Sequence, residues 1–316
     1  MEKFISCDWG TTSFRLRLIE VVSNNILTET KSTQGIAATY ALWKEQPDTD
    51  RVLFYTNFIL QQMVVLEQQY GYSLDDITIL ISGMASATIG MLELPYKVIP
   101  LQIAEAGLHT QTIPATPQCR HTIIIISGVR SANDAMRGEE TMMAGCAIEV
   151  ASGEQLFIFP GTHSKHIVVQ NGILKDLKTY MTGEIFNLLS SKSILAASVE
   201  VDDLSPQMNE AFLKAVKETI DSNILNALFH VRTNLLFGVA GRKENYHHLS
   251  GLLIGEELKA VSTGNYAIVT IVSTGNLLAL YIKALEALDF KGKLQFQDAD
   301  AALIKGQALI FNRYQQ

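Results

Sequence analysis

Cysteine is nearly absent: three among 316 residues, Cys7, Cys119 and Cys146. An odd, scattered set without a C-x-x-C pair argues against a disulfide framework or a zinc site and for reduced thiols in a cytoplasm. Long apolar runs are missing as well; none approaches the roughly 20 residues needed to cross a bilayer. Strand-forming residues begin at Phe4, with no basic and apolar leader of the kind that directs secretion. Positive charge is the third shortage: 25 Lys and Arg stand against 32 Asp and Glu, a net charge of −7. That balance argues against a general nucleic-acid or anionic-membrane surface, so the expectation is a cytoplasmic protein with neither partner. Anionic ligands stay open to it through backbone N–H groups, Mg²⁺ and a few local cations. What remains is ordinary globular material, 47% hydrophobic and 18% charged, enough for one large or two medium domains.

The stretch from Phe4 to Ile19 reads as strand, tight turn, strand. Apolar residues lead into Asp8, small hydroxylated residues turn the chain, and Leu16 and Leu18 resume the alternation. Such a hairpin suits a phosphate chain. Gly10 permits close backbone approach, N–H groups and the Thr11, Thr12 and Ser13 hydroxyls can donate to phosphate oxygens, and Asp8 can hold Mg²⁺. An ordinary glycine hairpin with an incidental acid would read the same way.

Further along, strands are expected at Ile26 to Thr33, Ile77 to Ile81, Thr122 to Ile126 and Ala267 to Val272, with an extended piece at Tyr96 to Leu101. Residues 34–38 read as a loop and 104–117 as a crossing segment. Helices are expected over 48–70, 138–150, 183–195, 206–229, 246–261, 277–288 and 299–311, and a last strand over 294–296. Gly251 and Gly255 lie on one helix face and would admit a close neighbour. From Gln155 the opening pattern returns: strand, Gly161-Thr162-His163-Ser164, strand, an Asn171-Gly172 turn and a third strand. Gly161-Thr162 and Ser164 lie over Gly10-Thr11 and Ser13, so the chain carries two similar hairpin units. Strands alternating with helices indicate α/β layers.

Two phosphate-type hairpins suggest a nucleotide gripped from two sides. Gly275, at a strand-to-helix turn, is a third candidate contact near a base or ribose, although glycine there also serves geometry alone. The densest polar cluster is Asn133 to Thr141. Its acids could simply cap a helix, or Glu139 could take the proton of an attacking hydroxyl. His163 and Lys165 flank the second turn and could donate to phosphate or stand exposed. His247-His248 reads as surface or helix-start decoration.

Several segments together resemble one family. They are Asp8-Trp9-Gly10-Thr11-Thr12-Ser13, Gly83-Met84 with Pro95-Tyr96, Met136-Arg137-Gly138-Glu139-Glu140-Thr141, Pro160-Gly161-Thr162-His163-Ser164-Lys165, Met181-Thr182-Gly183-Glu184, Ser193-Ile194-Leu195 and Leu249-Ser250-Gly251-Leu252-Leu253-Ile254-Gly255. The chain resembles the 2-dehydro-3-deoxygalactonokinase (2-keto-3-deoxygalactonate kinase) family of the acetate kinase, hexokinase and actin superfamily. The resemblance implies an α/β fold of two ribonuclease-H-like (actin-like ATPase) domains with a central cleft, residues 1–117 on the sugar-acid side and 118–316 on the adenosine side. It implies ATP and Mg²⁺, and transfer of a phosphoryl group to the terminal hydroxyl of a 2-keto-3-deoxy sugar acid. In that scheme Asp8 serves the metal, directly or through water. Gly10, Thr11, Thr12, Gly161, Thr162, His163 and Lys165 hold phosphates, and Gly275 lies near the adenosine. Glu139, with Glu140 as its competitor, is the base; Trp9, Gly83, Met84 and Ser86 meet the sugar, and Arg137 its carboxylate. The chain departs from the family pattern at Met91, where tryptophan is expected, and at Ser127, where proline is usual. A kinase for another sugar or sugar acid, a phosphatase, a sugar-responsive regulator and an actin-like assembly protein are the competing readings, and a homo-oligomer is left open.

Overall fold

The computed structural model describes residues 2–46, 48–103, 107–149, 153–203 and 206–315. Two expectations reach beyond these: the crossing segment begins at Ala104 and the helix over 138–150 ends at Val150, both outside the described residues. The chain divides into two compact units, Met1–Glu149 with Gly172–Leu177 and Asp298–Gln316, and Val150–Asn171 with Lys178–Gln297.

In the first unit β1 (Lys3–Trp9), β2 (Phe14–Glu20) and β3 (Ile26–Ser32) form an antiparallel meander. Asn24, at φ 57°, makes the turn into β3, a conformation asparagine tolerates better than most residues. Two helices follow, α1 (Ile36–Lys44) and α2 (Arg51–Tyr70). Asp50 accepts from the Leu53 amide to start α2, and Gly71 at φ 83° ends it, as helix-end chemistry dictates. Then come β4 (Ile79–Gly83), β5 (Lys97–Val98), β6 (Leu101–Gln102), β7 (Thr110–Ile113), β8 (Ile123–Ile126), β9 (Val129–Arg130), β10 (Ala135–Met136) and α3 (Glu139–Gly145). The main sheet runs β3-β2-β1-β4-β8-β7, and β10-β9-β5 make a small second sheet. β4 and β8 are fully buried apolar strands parallel to β1. The core gathers Trp9, Phe14, Tyr55, Phe58 and Ile81.

The second unit repeats the plan. β11 (Gln155–Phe159), β12 (Ser164–Gln170) and β13 (Ile173–Tyr180) form its meander, and α4 (Thr182–Lys192), α5 (Pro206–Glu218), α6 (Ile224–Leu236) and α7 (Arg242–Ser262) follow. β14 (Ile268–Val272), α8 (Asn276–Ala287) and β15 (Lys293–Gln297) complete it, giving the order β15-β14-β11-β12-β13 with β14 parallel to both neighbours. A three-stranded meander extended by two parallel strands, present twice, is the ribonuclease-H-like arrangement of an actin-like ATPase. α9 (Ala299–Tyr314) returns to the first unit.

Several expectations change. Residues 34–38 are not all loop, because α1 starts at Ile36. The helix expected over 206–229 is two, broken where Asn223 caps α6 by accepting from the Leu225 amide. His247 and His248 are buried, not surface decoration; each faces an acid, Asp202 at 3.6 Å and Glu218 at 3.5 Å. Residues 118–149 and 298–316 group with the first unit and not with the second as a division at 117/118 expected. The cause is β8, which pairs with β4, and α9, which lies against α3. Met91 is wholly buried in the first core. Ser127 donates its amide to the His109 carbonyl at 2.8 Å, a bond a proline would lack.

Two helix pairs close on glycine. Gly251 and Gly255 admit α5, since a Cβ at Gly251 would lie 2.3 Å from the Phe212 carbonyl oxygen. Gly145 of α3 and Gly306 of α9 cross still more tightly, each Cβ position falling 1.9 Å from a carbonyl oxygen of the other helix. Gly306→Ala is therefore expected to lower unfolding stability by about 1–3 kcal/mol or more through overpacking. A urea midpoint equal to the parent's would show that the helices separate freely.

Candidate active site

The two turns are built alike and buttressed alike. In the first, the Gly10 amide donates to Ser13 O at 2.9 Å, leaving Thr11, Thr12 and Ser13 exposed. Gly35 and the start of α1 press on it from behind: a Cβ at Gly35 would lie 2.4 Å from Thr11 O, and the Ile36 and Ala37 amides donate to Gly10 O and Thr11 O at 2.9 and 3.1 Å. In the second, Gly183 has the same duty. Its Cβ position is 2.5 Å from Gly161 O, and the Glu184 amide donates to Thr162 O at 2.9 Å. His163 pairs with the Glu184 carboxylate beside this turn. Lys165 lies inside β12 opposite Phe159 and is buried, not exposed. Nothing lies within 4 Å of a Cβ built at Gly161 or Gly275; Gly275 is needed for its φ of 66° at the head of α8.

At the mouth of the first hairpin Asp8 stands opposite Arg15 and beside Ser82 in register. Burial pushes its carboxyl above the usual range, while Arg15 and Arg17 pull it back. Both arginines are anchored elsewhere, on Asp300 at 2.6 and 2.8 Å, and Arg17 also on Glu29 at 2.8 Å. Gln307 of α9 ties the two central strands, donating to Cys7 O at 3.2 Å and Ser82 Oγ at 2.9 Å.

Two glycines bring the remaining groups to Asp8. Gly83, at φ 94°, would place a Cβ 2.7 Å from Trp9 O; Gly138, at φ 107°, would place one 3.4 Å from Gly83 Cα. The ends of β1 and β4 and the head of α3 thus lie close together, and these are the segments that carry Asp8, Gly83, Met84, Ser86, Arg137 and Glu139. Arg137 donates to Ser86 Oγ at 2.7 Å, Tyr96 Oη at 3.0 Å and Leu94 O at 3.3 Å, with its guanidinium 3.9 Å from the centre of the Tyr96 ring. Three of its five N–H groups are spent, leaving two for a ligand. The Trp9 side chain is placed differently from its expected role at the sugar. It is fully buried among Phe14, Tyr55 and Phe58, with Nε1 donating to Gln34 O.

Glu139 and Glu140 diverge at the head of α3. Glu140 is buried and accepts the Gly138 amide on both oxygens, at 2.9 and 2.8 Å, and the Thr141 hydroxyl at 3.1 Å. Burial, then the neighbouring Glu139, pushes its pKa up to about 8 from 4.5. Glu139 is half-buried. A folded-state pKa above the unfolded one means the native state holds a proton that the unfolded chain releases. Stability should therefore fall as pH rises from about 5 to about 8. Glu140→Gln is expected to flatten that decline in urea titrations at pH 5, 6.5 and 8; an unchanged slope would mean the carboxyl is ionised throughout.

In the second unit a cavity of about 500 Å³ is lined by Gly161, Thr162, Gly183, Phe186, Tyr246, Asn276 and Leu280 among others. Nothing in the sequence marks this cavity, Gln307 or the buried Glu257 of α7, and Tyr96 stands in a matched segment with no role attached to it. The paired glycines 35 and 183, each at the entry to a helix, were a usable signal; Glu257 left none, being one acid on a long helix.

The fold and the paired turns define a two-unit phosphotransferase of the actin-like ATPase class. The family model for 2-keto-3-deoxy-galactonokinase matches residues 8–310, and the chain belongs to that family. A Rhizobium meliloti (strain 1021) protein provisionally named 2-dehydro-3-deoxygalactonokinase DgoK1 is 32% identical over 312 residues, 96% of this chain and 94% of that one. The Escherichia coli (strain K12) 2-dehydro-3-deoxygalactonokinase is 26% identical over 295 residues, 90% of each. A crystal structure from Sinorhizobium meliloti, of a protein given the same name provisionally, superposes with a TM-score of 0.83 at 29% identity, over 99% of this chain and 97% of that one. Among the described residues no helix is long and apolar enough to cross a membrane.

Proposed function

We propose that the protein transfers the γ-phosphoryl group of ATP to the terminal (6-) hydroxyl of 2-dehydro-3-deoxy-D-galactonate. The observation that supports this reading is the close approach of Gly138 to Gly83, the partner of Trp9, which brings the head of α3, opened by Glu139, near the end of β1, one residue past Asp8. Glu139 receives the proton of the attacking hydroxyl. Amides of the turns at Gly10-Thr11-Thr12 and Gly161-Thr162-His163 receive phosphate oxygens. The free N–H groups of Arg137 receive the carboxylate of the sugar acid, with Gly83, Met84 and Ser86 alongside.

Mg²⁺ fits the donors present. Among the described residues no group of three or more His, Cys, Asp or Glu side chains could hold a metal. Magnesium needs few protein ligands, since it is commonly bound through one or two carboxylates with phosphate oxygens and water. Asp8, whose ionised form burial disfavours, would gain from a cation, directly or through water. When bound, the ion neutralises charge on the transferring phosphoryl group.

A coupled ATP-turnover assay across 2-keto-3-deoxy sugar acids tests the proposal. Turnover is expected with the galacto acid and greater than with its gluco epimer. ATP consumption that ignores the sugar acid, or a preference for a different acceptor class, would overturn it.

A further inference from the structure

Glu257 has four side-chain partners and no place in the chemistry above. It sits near the end of α7, 3% exposed, and each carboxylate oxygen accepts two bonds. Oε1 takes Ser164 Oγ at 2.7 Å and His166 Nε2 at 2.9 Å; Oε2 takes the Thr182 hydroxyl and Tyr281 Oη at 2.8 Å. Burial works against the ionised form, but these bonds outweigh it and hold the carboxyl below the usual glutamate range.

The partners come from three separate segments. Ser164 opens β12 directly after the Gly161-Thr162-His163 turn. Thr182 opens α4 and precedes Gly183, the glycine pressed against Gly161. Tyr281 lies on α8, the helix that starts from the Gly275 turn. Gly161, Thr162, Thr182, Gly183 and Tyr281 all line the 500 Å³ cavity. Glu257 therefore stands behind the wall at the point where its phosphate end and its α8 side join. Because the Ser164, Thr182 and Tyr281 hydroxyls give their protons to Glu257, none of them has a proton left for a phosphate. What the carboxylate supplies is a fixed backbone.

We infer that Glu257 is a positioning residue for the nucleotide: one buried carboxylate that locks the second phosphate turn, its buttress and the helix beyond Gly275 into the arrangement ATP binds. The inference rests on the proposed ATP-dependent reaction, in which the Gly161-Thr162-His163 turn holds phosphate oxygens, so that the cavity lined by Gly161 and Thr162 takes the rest of the nucleotide. An ionised acceptor is required, because an amide offers one acceptor oxygen where this junction uses two. Preorganisation of this kind is realised as affinity.

Calorimetry with Mg·ADP separates this from a general structural duty. Glu257→Gln is expected to weaken ADP at least about tenfold, the scale of one charge-assisted bond, and to raise the ATP KM likewise, with the sugar-acid KM within about twofold of the parent's. Tyr281→Phe and Ser164→Ala should each weaken ADP by several-fold, and neither should add to Glu257→Gln in the double variant. Equal loss for nucleotide and sugar acid, additive double variants, or ADP affinity within about twofold of the parent's in Glu257→Gln would overturn the inference. If Glu257→Gln does not fold, the Tyr281→Phe and Ser164→Ala pair decides it through the same ADP measurement. Parent protein that binds ADP without phosphorylating any sugar acid would sink the proposed reaction alone. Parent protein that binds no ADP would sink both.

Discussion

Glu139→Gln should lower kcat by about 10²–10⁴, the usual contribution of a general base, while thermal unfolding and Mg·ADP affinity stay near the parent's. Its neighbour Glu140 has both oxygens on the Gly138 amide and is buried, so that carboxyl is committed to shaping the turn. Its pKa of about 8 also leaves it largely protonated near neutrality, a poor state in which to accept a proton. Glu139, half-buried one residue earlier, is the remaining acid at the head of α3. Near-normal turnover in Glu139→Gln would refute the base assignment.

Asp8→Asn should also abolish most turnover, by on the order of 10²–10³, and yet should not weaken the fold. Burial disfavours the ionised Asp8 carboxyl more than Arg15 and Arg17 favour it, so above the ordinary carboxylate pKa the charge destabilises the native state. A neutral amide of the same shape removes that burden. The variant is expected to unfold at the parent's temperature or above it in metal-free buffer at pH 7.5, and added Mg²⁺ should restore little activity. Loss of activity accompanied by a marked loss of stability would mean Asp8 is structural.

Much of this was legible in the sequence because backbone geometry and small residues leave local marks. The G-T-x-S pattern repeated at Gly10 and Gly161 announced two meanders, and both lie at the ends of paired strands. Gly251 and Gly255 announced a close helix contact, which α5 provides. Side-chain destinations were less readable. Trp9 beside Asp8 has the look of a ligand contact, but its indole fills the space beneath α2. His247 and His248 resemble surface decoration until Asp202 and Glu218 arrive from other elements. Glu257 collects partners 24 to 93 residues away in the chain, and no local pattern encodes that. The grouping of 298–316 with the first unit was hidden for the same reason: α9 is an ordinary amphipathic helix whose destination depends on Gly306 meeting Gly145.

That last meeting bears on how the protein is made. Ribosomes deliver the chain from its N-terminus, and domains ordinarily fold as they emerge. Here the glutamate-bearing α3 and the Asp8 strand stay unfinished until Gly306 and Gln307, which clamp them, are delivered, and those two residues follow every segment of the second unit. Nascent chains stalled before residue 298 should therefore expose an incomplete first unit to chaperones and proteases even when the second is already folded.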